Sequence, residues 1–335
     1  MAKNSVIPVF IPHAGCPHDC VFCDQRQISG QIAPPSPEEV SQIISESAKK
    51  LSAPAELACY GGSFTCLPYG DQRQYLLAAK PFLDNGTLRE IRVSTRPDAI
   101  DGEILDLLTL GGVRTVELGA QSMDDGVLRL ANRGHSGGAV ETASKLIKSR
   151  GFKLILQLMF GLPGDTAQTA KQTCLRAAAL CPDGVRFYPT VVIRNTRLHQ
   201  MMLSGGYTPL SVEAAVELCA EMLPIFTEKN IPVIRLGLNP TDELSSGDSV
   251  VGGAYHPALG ELTWSRYFYN MARAKLAGQD TPGHCADIFV HPSRLSIMAG
   301  QHRCNSAALT EEFGLTKLRI LPSDTDKNSL SILIR

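Results

Sequence analysis

The 335-residue sequence has a single Trp, only 6% aromatic residues, and charge on just 19% of its positions. Its 32 Lys+Arg against 33 Asp+Glu give a net charge of −1, which excludes a nucleic-acid binder working through overall positive charge but permits a local basic groove. Long apolar runs are missing: no stretch approaches the roughly 18 residues that a membrane-spanning helix needs. The opening MAKNSVIPVF lacks the apolar core of a signal peptide, so a soluble, cytoplasmic protein with no membrane partner is expected. Ten cysteines are present, yet a chain this long is not a compact disulfide scaffold, and in a reducing cytosol most should be thiols or metal ligands. The 44% hydrophobic content is ample for a buried core in one large or two ordinary domains.

From residue 5 to about 236, short apolar runs alternate with helical patterns, the signature of a parallel sheet covered by helices. Strands are predicted at Val6–Ile11, Glu56–Tyr60, Glu90–Ser94, Thr115–Leu118, Lys153–Met159 and Val185–Thr190, each leading through a loop into a helix. Ser36-Pro37-Glu38-Glu39 marks a helix start, with Val40, Ile43, Ile44 and Leu51 on one face. After strand six, Cys219 and Met222 keep register with Val212, Val216, Leu223 and Phe226, and so read as core rather than ligands. The fold class is therefore α/β, a partial (β/α)6 barrel, in which chemistry belongs on the loops at the strand C-terminal ends. Past residue 236 the alternation stops and Leu238–Gly260 reads as a linker region. We divide the chain into a core domain, 1–236, and a small α+β accessory domain, 237–335. The latter carries a helix at Leu262–Leu276, a strand at Ile288–Val290, a helix at Asn305–Phe313 and strands at Lys317–Leu321 and Leu330–Ile334.

Directly after the first strand stands Cys16-Pro17-His18-Asp19-Cys20-Val21-Phe22-Cys23, a CxxxCxxC cluster. Three thiolates on one short loop can ligate three irons of a [4Fe–4S] cluster and leave the fourth iron open to chelate a small molecule. Zinc with a distant fourth ligand is the structural alternative. Strand two ends in Tyr60-Gly61-Gly62-Ser63-Phe64-Thr65, where glycines let the backbone approach a ligand and strand-end carbonyls can accept from an ammonium group. Arg96, after strand three, could meet a carboxylate through its bidentate fork or form a surface ion pair. Glu117, in an otherwise apolar strand, needs a partner: a ribose hydroxyl or a salt bridge inside the barrel. Gln121 and Gln157 either face the barrel interior or are buried polar packing.

The cluster motif resembles that of the radical S-adenosylmethionine (SAM) superfamily, CxxxCxϕC, matching Cys16, Cys20, Phe22 and Cys23. This resemblance implies a [4Fe–4S] cluster on the three cysteines as the catalytic and metal-binding set. It also implies SAM chelated at the open iron, and reductive cleavage to methionine and a 5′-deoxyadenosyl radical. Phe22 would lie near the adenine, and Gly61, Gly62 and Ser63 would hold the SAM amino group, Ser63 standing where many members have Glu. Arg96, Glu117 and Gln157 complete the expected SAM contacts. GCPHDCVFCDQRQISG, YGGSFT, STRPD, ELGAQS, NRGH, FGLPGD and YPTVVIRNT together resemble the branch typified by the elongator catalytic subunit, over roughly residues 5 to 240. Eukaryotic and archaeal enzymes of that branch modify the tRNA wobble uridine with a fused acetyltransferase domain. The segment after residue 236 is too short for such a domain, and the chain looks closer to shorter bacterial proteins of the branch.

The expected activity is thus radical SAM chemistry on tRNA, with a low-potential electron donor of flavodoxin or ferredoxin type. The alternative is radical chemistry on a small molecule or peptide, such as oxidative decarboxylation of the coproporphyrinogen oxidase kind. A third possibility is an RNA-binding module whose cluster is only structural. Basic residues from Arg129 to Lys153, including Arg133, and Arg186, Arg194 and Arg197 between Gly184 and Val212 could hold phosphates, with Arg194 and Arg197 placed on the loop after strand six. The segment around Ser296–Arg303 looks like part of a KH-type RNA module, with Gly300 as the first Gly of a GxxG loop and Arg303 in place of the second; a purely structural cap is the other reading. Cys66 could approach the active site, and His284, Cys285, His291, His302 and Cys304 could in principle bind zinc.

Overall fold

Alternation along the strands decides which face of the sheet is oil and which is not. In β1 (Val6–Ile11), Ile7, Val9 and Ile11 are buried against helices, and in β2 (Ala55–Gly61) Leu57 and Cys59 do the same. The intervening positions turn to the opposite, concave face. The computed structural model describes residues 5–11, 16, 18–24, 33–238 and 249–335. Gly15, Pro17 and residues 25–30 of the cluster motif and residues 239–248 of the expected linker lie outside the described residues.

Along the chain, β1 is followed by α1 (Pro37–Ala48), β2, α2 (Tyr69–Asp84), β3 (Leu88–Thr95), α3 (Gly102–Leu110) and β4 (Val113–Gln121). Then come α4 (Asp125–Leu130), α5 (Gly137–Ser149), β5 (Lys153–Phe160), α6 (Ala167–Ala179) and β6 (Gly184–Pro189). The strands pair in parallel in chain order, and a short β8 (Val233–Leu236) adds a seventh strand beside β6. All six predicted strands are present, and β8 was missed because four residues, one of them arginine, make no visible period. Parallel order puts every strand C-terminus, and every loop that follows one, at the same edge. The capping box at α1 forms as its residues dictate: Glu39 N donates to the Ser36 hydroxyl at 3.2 Å and Ser36 N to the Glu39 carboxylate at 2.7 Å.

Between β6 and β8 lie β7 (Val191–Ile193), α7 (Arg197–Leu203) and α8 (Val212–Thr227). Cys219 and Met222 are buried in the α8 core stripe, and burial pushes the Cys219 thiol up, as suits an inert core residue. β9 (Val250–Gly253) lies beyond residue 236 yet returns to pair antiparallel with β7, so this part of the later segment builds the mouth of the sheet.

α9 (Leu259–Leu276) packs on α8 and carries Tyr267, Phe268 and Ala272 into the same hydrophobic core as the strands. After it come β10 (Cys285–Val290), α10 (Leu295–Ala299), α11 (Cys304–Glu312), β11 (Lys317–Pro322) and β12 (Leu330–Ile334). β10 is central, parallel to β11 and antiparallel to β12. Buried Asp287 on β10 is paired by Arg319 and Arg335. Gly300–Arg303 forms the loop between α10 and α11, with His302 and Arg303 exposed at positive φ, 51° and 61°.

Gly253 is the tightest point of the β7–β9 pair. Its φ is +89°, and a Cβ there would sit 2.5 Å from the Thr190 carbonyl oxygen and 2.9 Å from Val191 Cα. Backbone cannot move aside as a side chain can. Gly253→Ala is expected to lower stability by roughly 2–4 kcal/mol, measured by urea denaturation; a loss under about 0.5 kcal/mol would show that the mouth accommodates the strain.

Candidate active site

After β1, the described residues 16 and 18–24 form no helix or strand and are held from outside. Val21 inserts into a small apolar cluster with Val127, Ala131, Leu162 and Leu198, and Phe22 packs on its edge. Two backbone bonds lock that position: Val21 N donates to Ala131 O at 3.1 Å and Leu198 N to Val21 O at 2.7 Å. Cys23 N donates to Cys20 O at 3.0 Å, closing a turn between two of the thiols.

The NRGH segment forms the other side of this clamp. Asn132 Nδ2 donates to Asp19 O at 2.7 Å, and Arg133 Nη1 donates to Cys20 Sγ at 3.4 Å while its Nη2 reaches Gly119 O at 2.7 Å. Gly119 leaves space for the Arg133 guanidinium, since a Cβ would stand 2.7 Å from Arg133 Nη2. Gly134, at φ +79°, leaves room for the His18 ring.

Gly61 and Gly62 are tied to the end of β1 by Gly62 N donating to Ile11 O at 2.8 Å, and a Cβ on Gly61 would meet the Ile11 backbone at 3.2 Å. Ser63 Oγ lies 3.0 Å from Thr95 Oγ1 and accepts from Arg96 N at 3.2 Å, so its side chain is spent on joining β2 to β3. The Arg96 guanidinium is only 2% exposed; it donates to Asp98 at 2.9 and 3.0 Å and to Arg133 O. Its Nη1 is buried without a partner. Burial pushes the Asp98 carboxyl up, but the Arg96 bond and charge outweigh it and hold it below the usual range.

Glu117 has no exposed surface. Its carboxylate meets Arg92 at 3.3 Å, Arg186 at 3.0 Å and the Gln157 amide. Arg92 is in turn held by Glu56 through two bonds of 2.8 Å. Glu117 therefore stands in the salt bridge inside the barrel, and Arg96 in a buried ion pair with one nitrogen to spare.

One cavity of about 270 Å³ collects Cys16, Cys20, Phe22, Cys23, Gly61, Gly62, Ser63, Arg96, Glu117 and Gln157, together with Gln121. All ten site residues singled out in the sequence thus line one space, although their segments span residues 16 to 157. Cys66, Arg194 and Arg197 do not line it. Arg186, one of the basic residues expected near the barrel mouth, does line it; sequence reasoning missed Arg133 as a thiol donor, and Tyr60, Tyr188 and Arg235 as lining groups. The signal for Tyr60 and Tyr188 was the alternation along β2 and β6, whereas β8 is too short to give one for Arg235. Among the described residues, no three His, Cys, Asp or Glu converge as for a single metal ion, so the C-terminal His and Cys residues do not assemble the zinc site considered for them. The thiols are instead spread around one end of the cavity beside the orphaned Arg96 Nη1 and Gln121 Oε1, an arrangement suited to a multi-iron cluster with an attached polar ligand.

An open parallel α/β sheet with three cysteines over its C-terminal edge defines the class of iron–sulfur enzymes that work at such an edge. The sequence matches the radical SAM superfamily over residues 10–177 and the radical SAM C-terminal domain over residues 182–267, and the chain belongs to the radical SAM superfamily. It is a radical SAM enzyme, and the cofactors of the family are a [4Fe–4S] cluster and SAM. The chain is 28% identical over 201 residues to a tRNA uridine(34) acetyltransferase of Dehalococcoides mccartyi, covering 56% of this chain and 44% of that one. It is 38% identical over 141 residues to human Elongator complex protein 3, covering 40% of this chain and 25% of the other. The chain thus spans less than half the length of these relatives. A solved structure of archaeal Elp3 from Methanocaldococcus infernus, with its N-terminus deleted, has a TM-score of 0.64 at 22% identity, covering 82% of this chain and 64% of that one; it shares the fold. No helix among the described residues is long and apolar enough to cross a membrane.

Removing the Glu117 carboxylate leaves two buried guanidinium groups short of their partner, so Glu117→Ala should cost about 3–5 kcal/mol in urea denaturation. His135, in the clamp, is held by burial first and then by the Arg133 charge at a pKa of about 4. A folded-state pKa below the unfolded value of about 6.5 means that its contribution is intact above pH 6.5 and is lost as pH falls toward 4. Denaturation across that window should show a shallower fall in stability for His135→Asn than for wild type; equal slopes would refute the assignment.

Proposed function

We propose that this chain is a cytoplasmic radical SAM enzyme that modifies tRNA. The observation carrying the radical reading is the convergence of three thiols, the Gly61–Gly62 strand end and the orphaned Arg96 Nη1 on one cavity. Cys16, Cys20 and Cys23 would hold the cluster. Arg133 orients the Cys20 thiol and gives it an N–H···S bond, and Val21 and Phe22 keep water from that side. Backbone carbonyls at Gly61 and Gly62 would accept from the SAM ammonium, Arg96 Nη1 would donate to its carboxylate, and Phe22 would pack beside the adenine. Glu117 holds Gln157 and Arg186 in place. Once bound, the cluster and SAM would supply radical hydrogen-abstraction chemistry, with the electron coming from a flavodoxin- or ferredoxin-type donor.

The tRNA reading is supported by the likeness to the tRNA uridine(34) acetyltransferase and by the exposed His302 and Arg303 on the loop between α10 and α11. The strand–helix–loop–helix–strand order around that loop, β10 to β11, is the order expected for a KH-like module contacting the RNA backbone.

Reconstituted anaerobically with dithionite and SAM, the protein should release 5′-deoxyadenosine, and Cys20→Ala should reduce release to background; equal release would defeat the cluster assignment. Gel shifts with total tRNA should weaken steeply as salt rises, and Arg303→Ala should lower the slope by about one phosphate contact. No binding at low salt would favour radical chemistry on a small molecule or peptide.

A further inference from the structure

The concave face of the sheet is a row of alternating charges that does not close. Glu56 binds Arg92, Arg92 also reaches Glu117, and Glu117 binds Arg186. The next strand, β8, then brings Arg235 into register beside Arg186. Arg235 Nε donates to Gly237 O at 2.9 Å, and no carboxylate among the described residues pairs with this guanidinium. Two cations thus face each other across adjacent strands, an arrangement that costs stability unless an anion lies between them. Burial, joined by the Arg186 charge, pulls the Arg235 guanidinium below the ordinary arginine value, against the nearby tyrosines.

The neighbouring hydroxyls add donors of the same kind. Arg186 Nη2 donates to Tyr60 Oη at 3.2 Å and Nη1 to Tyr188 Oη at 3.4 Å. A phenol oxygen that accepts from a guanidinium keeps its own proton to donate. Burial, first among the causes, raises both tyrosines and keeps them protonated. No acceptor for either hydroxyl is found among the described residues. Tyr60, Tyr188, Arg186 and Arg235 all line the cavity that holds the three thiols and Arg96. This part of the wall offers guanidinium N–H groups and phenol O–H groups, a donor set that matches the oxygens of an anion.

We propose that Arg235, with the hydroxyls of Tyr60 and Tyr188, forms a subsite for a compact oxyanion of the substrate, a carboxylate or phosphate group, in the same cavity as the cluster cysteines. The assignment rests on reading this cavity as the radical site. Arg186 is already engaged with Glu117 and braces the two tyrosines. Arg235 is the group left to meet the substrate, so it selects for substrates with a negative group within reach of the hydrogen to be removed.

Isothermal titration of the reconstituted protein with sodium malonate and, separately, sodium phosphate, against matched sodium chloride, tests this. One of the two anions should bind saturably, malonate alone pointing to a carboxylate and phosphate alone to a phosphoryl group. Arg235→Gln should weaken binding about tenfold or more, as loss of a charged hydrogen-bond partner does. Circular dichroism checks its fold; if that variant fails to fold, Arg235→Lys and Tyr188→Phe carry the test, each expected to weaken binding by a smaller factor. Equal affinity in the folded Arg235 and Tyr188 variants and wild type, or no binding above chloride, overturns the subsite. Arg235-dependent binding by a protein that releases no 5′-deoxyadenosine from SAM overturns the radical reading alone, whereas release without anion binding overturns the subsite alone.

Discussion

Glu117 carries a carboxylate with none of its surface in water, and the concave face of the sheet is organised around compensating it. A buried charge survives only when paired and hydrogen-bonded, and here Arg92, Arg186 and Gln157 arrive from three different strands. Because each partner must be in register for the contact to form, the same interaction that neutralises the charge fixes how β3, β4, β5 and β6 line up. The convex face needs no such precision, since Val93, Val116, Leu156 and Phe187 only have to be buried. The sheet therefore has an apolar side that gives stability and a polar side that sets geometry.

The cluster loop shows the complementary arrangement. Its described residues, 16 and 18–24, form no helix or strand, and they are held by the NRGH segment, which spans the end of β4 and the cluster loop through Arg133 and Asn132. Arg133 touches a cysteine sulfur, a strand carbonyl and, through its own carbonyl, Arg96. The thiol end and the proposed SAM-carboxylate end of the cavity are thus parts of one hydrogen-bonded unit. A shift at either end would be felt at the other.

Much of this was legible in the sequence because the chemistry is local there. The CxxxCxxC spacing, the Gly61–Gly62 turn and the strand alternation each state themselves within a few residues, and the six predicted strands and ten site residues occupy one sheet and one cavity. What was not legible depends on pairing across distance. Glu117 alone gives no sign that its partners are Arg92 and Arg186, and Arg96 gives none that Asp98 and the Arg133 carbonyl take most of its donors. Arg235 sits in a strand too short to show a period, and the return of Val250–Gly253 to the mouth is set by Gly253 fitting against Thr190, which no local pattern announces.

That return has a consequence for the order in which the molecule is made. The wall formed by Val191 and Ile193 is completed only when β9 pairs with β7, after the chain has gone past β8. β1 to β6 emerge before β9 during synthesis, so the β7–β9 pairing is made last. The cysteine loop and the strand ends therefore exist for a time as an open trough.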